Sequence, residues 1–236
     1  MTVKDRLIVA LDVDTKEKAL ALVEMLKAEV GIFKIGSELF TSCGPDIVAA
    51  VKAKGCGIFL DLKFHDIPNT AARAAAAAVR LGVSILNVHA LGGYEMMKKC
   101  RDAVALEAKA LKIPKPKIIA VTILTSMDEN SLKKVGIDDN METQVLKLAK
   151  LAKDASLDGV VGSPAEVKLI RRELGEEFII VTPGVRPAWA ASNDQKRIAT
   201  PKEAIFNGAT YIVVGRPIIE AGDPLAAAKK VLEEMG

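Results

Sequence analysis

Gly57-Ile58-Phe59-Leu60-Asp61-Leu62-Lys63 runs into Phe64-His65-Asp66-Ile67-Pro68-Asn69-Thr70, and a helical pattern follows over 69–81. An apolar run that ends in charge and hands over to a helix is the repeating unit of a parallel α/β fold. Strands covered on both faces read as continuous hydrophobic runs. Side chains alternate along a strand, so Asp61 and Lys63 are expected on one side. Partly desolvated charges cost several kcal/mol unless paired, so such a cluster points to a task rather than to a core.

Working outward, the same unit recurs along the chain. Strands are expected at 7–12, 32–36, 57–63, 85–90, 117–124, 159–163, 178–184 and 211–216, which makes eight. Helical stretches fall at 16–29, 45–54, 69–81, 94–111, 142–156, 164–173 and 224–234. Eight alternating units predict an α/β fold, a (β/α)8 TIM barrel, over an open doubly wound sheet. An open nucleotide-binding sheet would place G-x-G-x-x-G after strand one, where the chain reads Ala10-Leu11-Asp12-Val13-Asp14. Gly55 and Gly57 precede a strand and lack a third glycine. No linker or charge block interrupts the pattern, so one domain over 1–236 is expected. The alanine run 74–78 reads as a close-packed helix face that would also let a second subunit approach.

Half the residues are hydrophobic but only 4% are aromatic, so Ala, Val, Ile and Leu must build the core. The net charge of +3 comes from 33 basic and 30 acidic residues without a basic stripe, which argues against nucleic acid as a partner. Cys43, Cys56 and Cys100 are unpaired in spacing and suggest a reducing cytoplasm. No signal-peptide core follows Met1, and no apolar run approaches the ~18 residues of a membrane span. A cytoplasmic protein without membrane contact is expected.

The barrel reading has an internal check, since active sites of that fold sit at the C-terminal ends of the strands. Asp12, Asp61, Lys63, His89, Thr122, Ser163, Thr182 and Arg216 all fall at or near those ends. Lys34, inside strand two, is an added charge that a closed barrel offers no edge to expose. Strands seven and eight end in Thr182-Pro183-Gly184-Val185-Arg186-Pro187 and Val214-Gly215-Arg216-Pro217. Glycine lets backbone N–H groups approach an anion, and arginine adds a fork of donors matched to phosphate. Gln195 supplies a further neutral donor. The polar segment 188–200 beside this site reads as a lid that closes on phosphate and excludes water.

A lysine flanked by carboxylates is favoured as its ammonium form, which suits stabilising negative charge and then donating a proton. It does not suit a resting nucleophile. Lys34, reaching the same mouth, would complete an alternating array. His65 and His89 lack ligand spacing, and an ammonium between Asp61 and Asp66 opposes Mg²⁺, so no metal is expected.

The motif Asp61-x-Lys63-x-x-Asp66-Ile67-Pro68-Asn69-Thr70 resembles the signature of orotidine 5'-phosphate decarboxylases. Ala10-Leu11-Asp12, Phe33-Lys34-Ile35-Gly36, Leu124-Thr125-Ser126, Thr182-Pro183-Gly184-Val185-Arg186, Asp194-Gln195 and Val214-Gly215-Arg216-Pro217 resemble the same family's motifs in order. The resemblance spans the chain. It implies decarboxylation of orotidine 5'-monophosphate to uridine 5'-monophosphate and CO2, the last step of de novo pyrimidine synthesis, without a cofactor. It implies a homodimer with shared sites. Lys63 would donate the proton to C6, with Lys34, Asp61 and Asp66 completing the array. Asp66, Ile67 and Thr70 would reach the neighbouring subunit's site. Asp12 and Lys34 would bind the ribose, Thr125 and Ser126 would face the pyrimidine, and Arg186, Gln195, Gly215 and Arg216 would hold the phosphate.

Three rivals share parts of this pattern. A Schiff-base aldolase is opposed by the flanking aspartates. A Mg²⁺-dependent sugar-phosphate decarboxylase or aldolase shares D-x-K-x-x-D but lacks the Ile-Pro-Asn-Thr that follows. A non-catalytic nucleotide-phosphate binding barrel would have no use for the charge array.

Overall fold

The computed structural model describes residues 2–190 and 199–236. Eight strands, β1 (Leu7–Ala10), β2 (Ile32–Gly36), β3 (Gly57–Phe64), β4 (Ile85–His89), β5 (Lys117–Val121), β6 (Gly159–Val161), β7 (Ile179–Thr182) and β8 (Tyr211–Val214), form a closed barrel in chain order. Every neighbouring pair is parallel, and β1 closes on β8 through Ile8 opposite Val213.

The helices are α1 (Lys16–Leu26), α2 (Ser37–Cys43), α3 (Asp46–Lys52), α4 (Pro68–Arg80), α5 (Gly93–Leu111), α6 (Glu129–Lys134), α7 (Met141–Asp154), α8 (Val167–Leu174), α9 (Pro201–Phe206), α10 (Arg216–Ile219) and α11 (Pro224–Met235). Their starts follow from local chemistry. Thr15, Asp128, Asn140, Thr200 and Asp223 accept backbone N–H groups of the first turn, and proline opens α4, α9 and α11 where no donor is needed. The alanine-rich α4 packs on α5 with Ala71, Ala75 and Ala78 buried.

Two apolar layers divide the strand residues by parity. Leu7 and Val9 face the helices, as do Leu86 and Val88. Ile8, Ala10, Phe59, Ile85, Ile119, Val121, Val161, Val181, Tyr211 and Val213 fill the barrel. Following the inward set toward the C-terminal ends explains where the site lies. Ala10 leads to Asp12, Ile32 to Lys34, Phe59 to Asp61, Ile85 to Asn87, and Val213 to Gly215. Toward the strand ends the inward stripe gains polar side chains from β1, β2, β3 and β4, and apolar packing gives way to a mouth.

The expected strands match in number and order, and every start matches except that β7 begins at Ile179 rather than 178. Several were expected to continue past their ends: β5 stops at Val121 rather than 124, and β8 at Val214 rather than 216. Helices α2, α6, α9 and α10 were not foreseen. Each is no longer than seven residues, too short for an apolar period to declare itself. Among the described residues, no helix is long and apolar enough to cross a membrane.

Candidate active site

Four charges of alternating sign line the barrel mouth. Lys34 Nζ lies 3.0 Å from Asp12 Oδ1 and 3.5 Å from Asp61 Oδ2. Lys63 Nζ donates to Asp61 Oδ1 at 2.7 Å. Lys34 and Asp61 are largely enclosed, with side chains 12% and 14% exposed, while Asp12 at 50% opens to solvent. Burial alone would raise the Asp61 carboxyl. Lys34, Lys63 and the hydrogen bonds from Lys63 and Asn87 outweigh it and hold Asp61 below the usual carboxylate range.

Asp61 and Lys63 meet as expected, but simple alternation does not bring them together. The β3–β4 register shifts between Leu60 and Phe64, and Lys63 takes a left-handed conformation with φ of 51°. Such a backbone costs a non-glycine residue roughly 1–2 kcal/mol, so it persists only where surroundings hold it. The fully buried Asn87 does the holding. Its Oδ1 accepts the Lys63 backbone N–H at 2.8 Å, and its Nδ2 donates to Asp61 Oδ1 at 2.7 Å. Sequence reasoning missed Asn87, although a lone amide in the otherwise apolar Ile85-Leu86-Asn87-Val88 was the available signal.

Two adjoining cavities open here. One of about 170 Å³ is walled by Phe59, Val121, Ile123, Val161, Val181 and Val213, with Lys34, Asp61, Lys63 and Thr125 at its polar side. The other, about 130 Å³, is lined by Asp12, Lys34, Gly184, Arg186, Gly215 and Arg216. Lys34, Pro183 and Val213 belong to both linings. Gly184 has φ of 76°, a conformation that only glycine adopts without strain, and it turns the chain after β7 toward the second cavity. The Arg186 N–H donates to Ala199 O at 2.9 Å, which joins the two described flanks of the 188–200 segment. Gln195 and most of the expected lid, 191–198, lie outside the described residues.

Other strand-end residues take different places. Thr122 Oγ1 donates to Val161 O at 3.0 Å, Ser163 bonds Glu166, and Thr182 is buried, so none of these three lines either cavity. His89 stacks on His65 with ring centroids 5.2 Å apart. Burial, then His65 and Lys63, push His89 down to about 4, so its Nδ1 is free of a proton to accept the Leu91 N–H at 3.3 Å. Ser126 and Thr70 are exposed and Ile67 is 68% exposed. The Asp66 carboxylate accepts the Ile67 N–H at 2.6 Å. Among the described residues no group of three or more His, Cys, Asp or Glu is placed to hold a metal ion.

A closed parallel barrel whose mouth carries an alternating lysine–aspartate array beside an arginine-lined recess has the architecture of a (β/α)8-barrel enzyme. Comparison with known proteins narrows this. Residues 5–231 match the model of the orotidine 5'-phosphate decarboxylase / HUMPS family, and the chain belongs to that family. It is 53% identical to orotidine 5'-phosphate decarboxylase of Trichlorobacter lovleyi over 232 residues, covering 98% of this chain and 95% of the relative. It is 53% identical to that of Moorella thermoacetica over 236 residues, covering 100% and 94%. The solved orotidine 5'-phosphate decarboxylase of Lactobacillus acidophilus superposes with a TM-score of 0.87 at 41% identity, covering 98% of this chain and 99% of that one.

Proposed function

We propose that this chain decarboxylates orotidine 5'-monophosphate to uridine 5'-monophosphate and CO2 using only its own side chains. The observation that carries the reading is the array Asp12–Lys34–Asp61–Lys63 standing between an apolar cavity and an arginine-lined one, with Lys34 in both walls. Family membership supplies the reaction: a carboxy-lyase step of pyrimidine synthesis.

The phosphate takes the recess of Arg186, Gly215 and Arg216, joined by Gln195, while Asp12 and Lys34 meet the ribose hydroxyls. The pyrimidine enters the apolar cavity beside Thr125 and Ser126, with C6 toward Lys63. Cleaving the bond from C6 to the carboxylate leaves its electron pair on C6, in the ring plane and unconjugated with the carbonyls. Fixed charge must therefore stabilise it, and the demand falls in the upper part of the roughly 8–23 kcal/mol that enzymes supply. The Lys63 ammonium beside C6 does so, then gives up its proton as the C6–H bond forms. CO2 departs, and the amine left on Lys63 regains a proton from water. Asp61 fixes Lys63 throughout. Asp66, Ile67 and Thr70 of the partner subunit complete each site in a homodimer. Their exposure in one protomer, outside both cavity linings, supports that placement.

Chelator-treated protein should consume the ultraviolet absorbance of orotidine 5'-monophosphate and release one CO2 per uridine 5'-monophosphate formed. Unchanged absorbance would defeat the reading. Turnover that returned only with added Mg²⁺ would move the chain to metal-dependent chemistry.

A further inference from the structure

The bend that presents Lys63 is made by β4, not by β3 alone. Leu60 pairs with Leu86 but Phe64 pairs with Val88, so β3 advances four residues while β4 advances two. Asp61, Leu62 and Lys63 lie in that excess, and the ladder between the strands is interrupted there. The Lys63 N–H takes the side-chain carbonyl of Asn87 instead. The other end of the same amide meets Asp61 Oδ1, the very oxygen that holds Lys63 Nζ. One planar group thus fixes the backbone of the lysine and the carboxylate that aims its ammonium.

The task needs an acceptor and a donor at opposite ends of a short side chain, buried and aimed inward. An aspartate at this position would turn an acceptor toward a carboxylate, and a leucine would offer neither group. We propose that Asn87 is a positioning residue for the decarboxylation, holding the β3 bulge so that Asp61 and Lys63 stand in working register. The inference rests on the function proposed above. In that role Asn87 touches no substrate. Its removal should lower kcat by displacing Lys63 and leave ligand affinity, set by the arginine recess, nearly unchanged. Displacements near 1 Å and lost supporting partners cost on the order of 10- to 100-fold.

The test compares Asn87→Leu, which is close in volume, with Asn87→Asp, which keeps the shape and the acceptor. Asn87→Leu should lose about 10- to 100-fold in kcat with KM within about threefold of the parent. Asn87→Asp should raise the titration midpoint of the Asp61 carboxyl, followed by carbon-13 NMR, and move the acid limb of kcat/KM upward with it. The other charges facing Asp61 are Lys34 from β2, Lys63 from β3 and, through Lys34, Asp12. With His65 and His89 they are common to parent and variants, so the difference reports on position 87. A merely structural role would lower the melting temperature without moving the acid limb. Should Asn87→Leu fail to fold, Asn87→Asp decides. Near-parental kcat with an unmoved Asp61 midpoint overturns the proposal. An inactive parent would defeat the proposed function instead, and the Asp61 midpoint in Asn87→Asp would still decide whether Asn87 positions that carboxylate.

Discussion

Asp61 is the residue on which the mouth turns, because both its oxygens are taken by donors. One meets Lys63 and Asn87, the other Lys34. Burial works against its charge and the two ammonium groups override it, so Asp61 stays ionised throughout the working range and needs no proton transfer of its own. That leaves Lys63 as the group whose removal should be decisive. We expect Lys63→Ala to lose on the order of 10⁴-fold or more in kcat, since in the proposed reaction it would remove both the charge beside C6 and the proton donor. Product binding, measured by calorimetry with uridine 5'-monophosphate, should persist; near-normal turnover would end the assignment. In the proposed binding mode Arg216 would act at the far end of the ligand. Losing a charged hydrogen-bond partner is worth about 1.5–3 kcal/mol, so Arg216→Ala should lower kcat/KM about 10- to 100-fold, with an unchanged value removing Arg216 from the phosphate recess.

At the scale of the element, the strand ends hold the charged array and the arginine recess, and they are also where legibility in the sequence ran out. Strand interiors announced themselves because Leu7-Ile8-Val9-Ala10 or Tyr211-Ile212-Val213-Val214 is apolar on both faces, and that is what burial between barrel and helices demands. Asp61 and Lys63 do meet, but strand alternation is only part of the reason. Alternation along β3 does not account for a lysine at φ of 51° held across a register shift, and only the neighbouring β4 reveals it. Asn87 stayed hidden for the same reason: its meaning lies in two contacts to another strand. The short helix α9 is set by the Thr200–Glu203 capping box and α10 begins at Arg216 of the recess, so neither arises from periodicity. His89, at the end of β4, gives this scale its own test. Its folded value near 4 lies below the ordinary 6.5, so the unfolded chain binds the proton more readily. The stability that neutral His89 contributes is complete above about 6.5 and drains away as pH falls toward 4. His89→Asn keeps an acceptor for the Leu91 N–H but cannot titrate. Urea midpoints at pH 7.5 and 5 should therefore fall less in His89→Asn than in the parent. An equal fall in both would show that His89 is not held neutral.

For the whole molecule, one protomer accounts for the barrel, both cavities and four charges, yet leaves part of its own motif facing outward. Asp66 and Thr70 are exposed and Ile67 is 68% exposed, immediately beyond Lys63 and at the start of α4. An apolar side chain and a carboxylate presented together beside an active-site mouth fit a surface completed by a second copy, related by a two-fold axis so that each gives what it receives. That arrangement makes a prediction that no single-protomer site can meet. Lys63→Ala and Asp66→Asn should each be nearly inactive alone. Mixed under conditions that exchange subunits, half the dimers are hybrid, and each hybrid holds one site with Lys63 from one protomer and Asp66 from the other. Activity should return to about one quarter of the parental value. The hybrid fraction can be read by native mass spectrometry on the same sample. Exchange without recovered turnover would place Asp66 in its own protomer's site and remove the shared mouth, while leaving the array of Asp12, Lys34, Asp61 and Lys63 where the single barrel builds it.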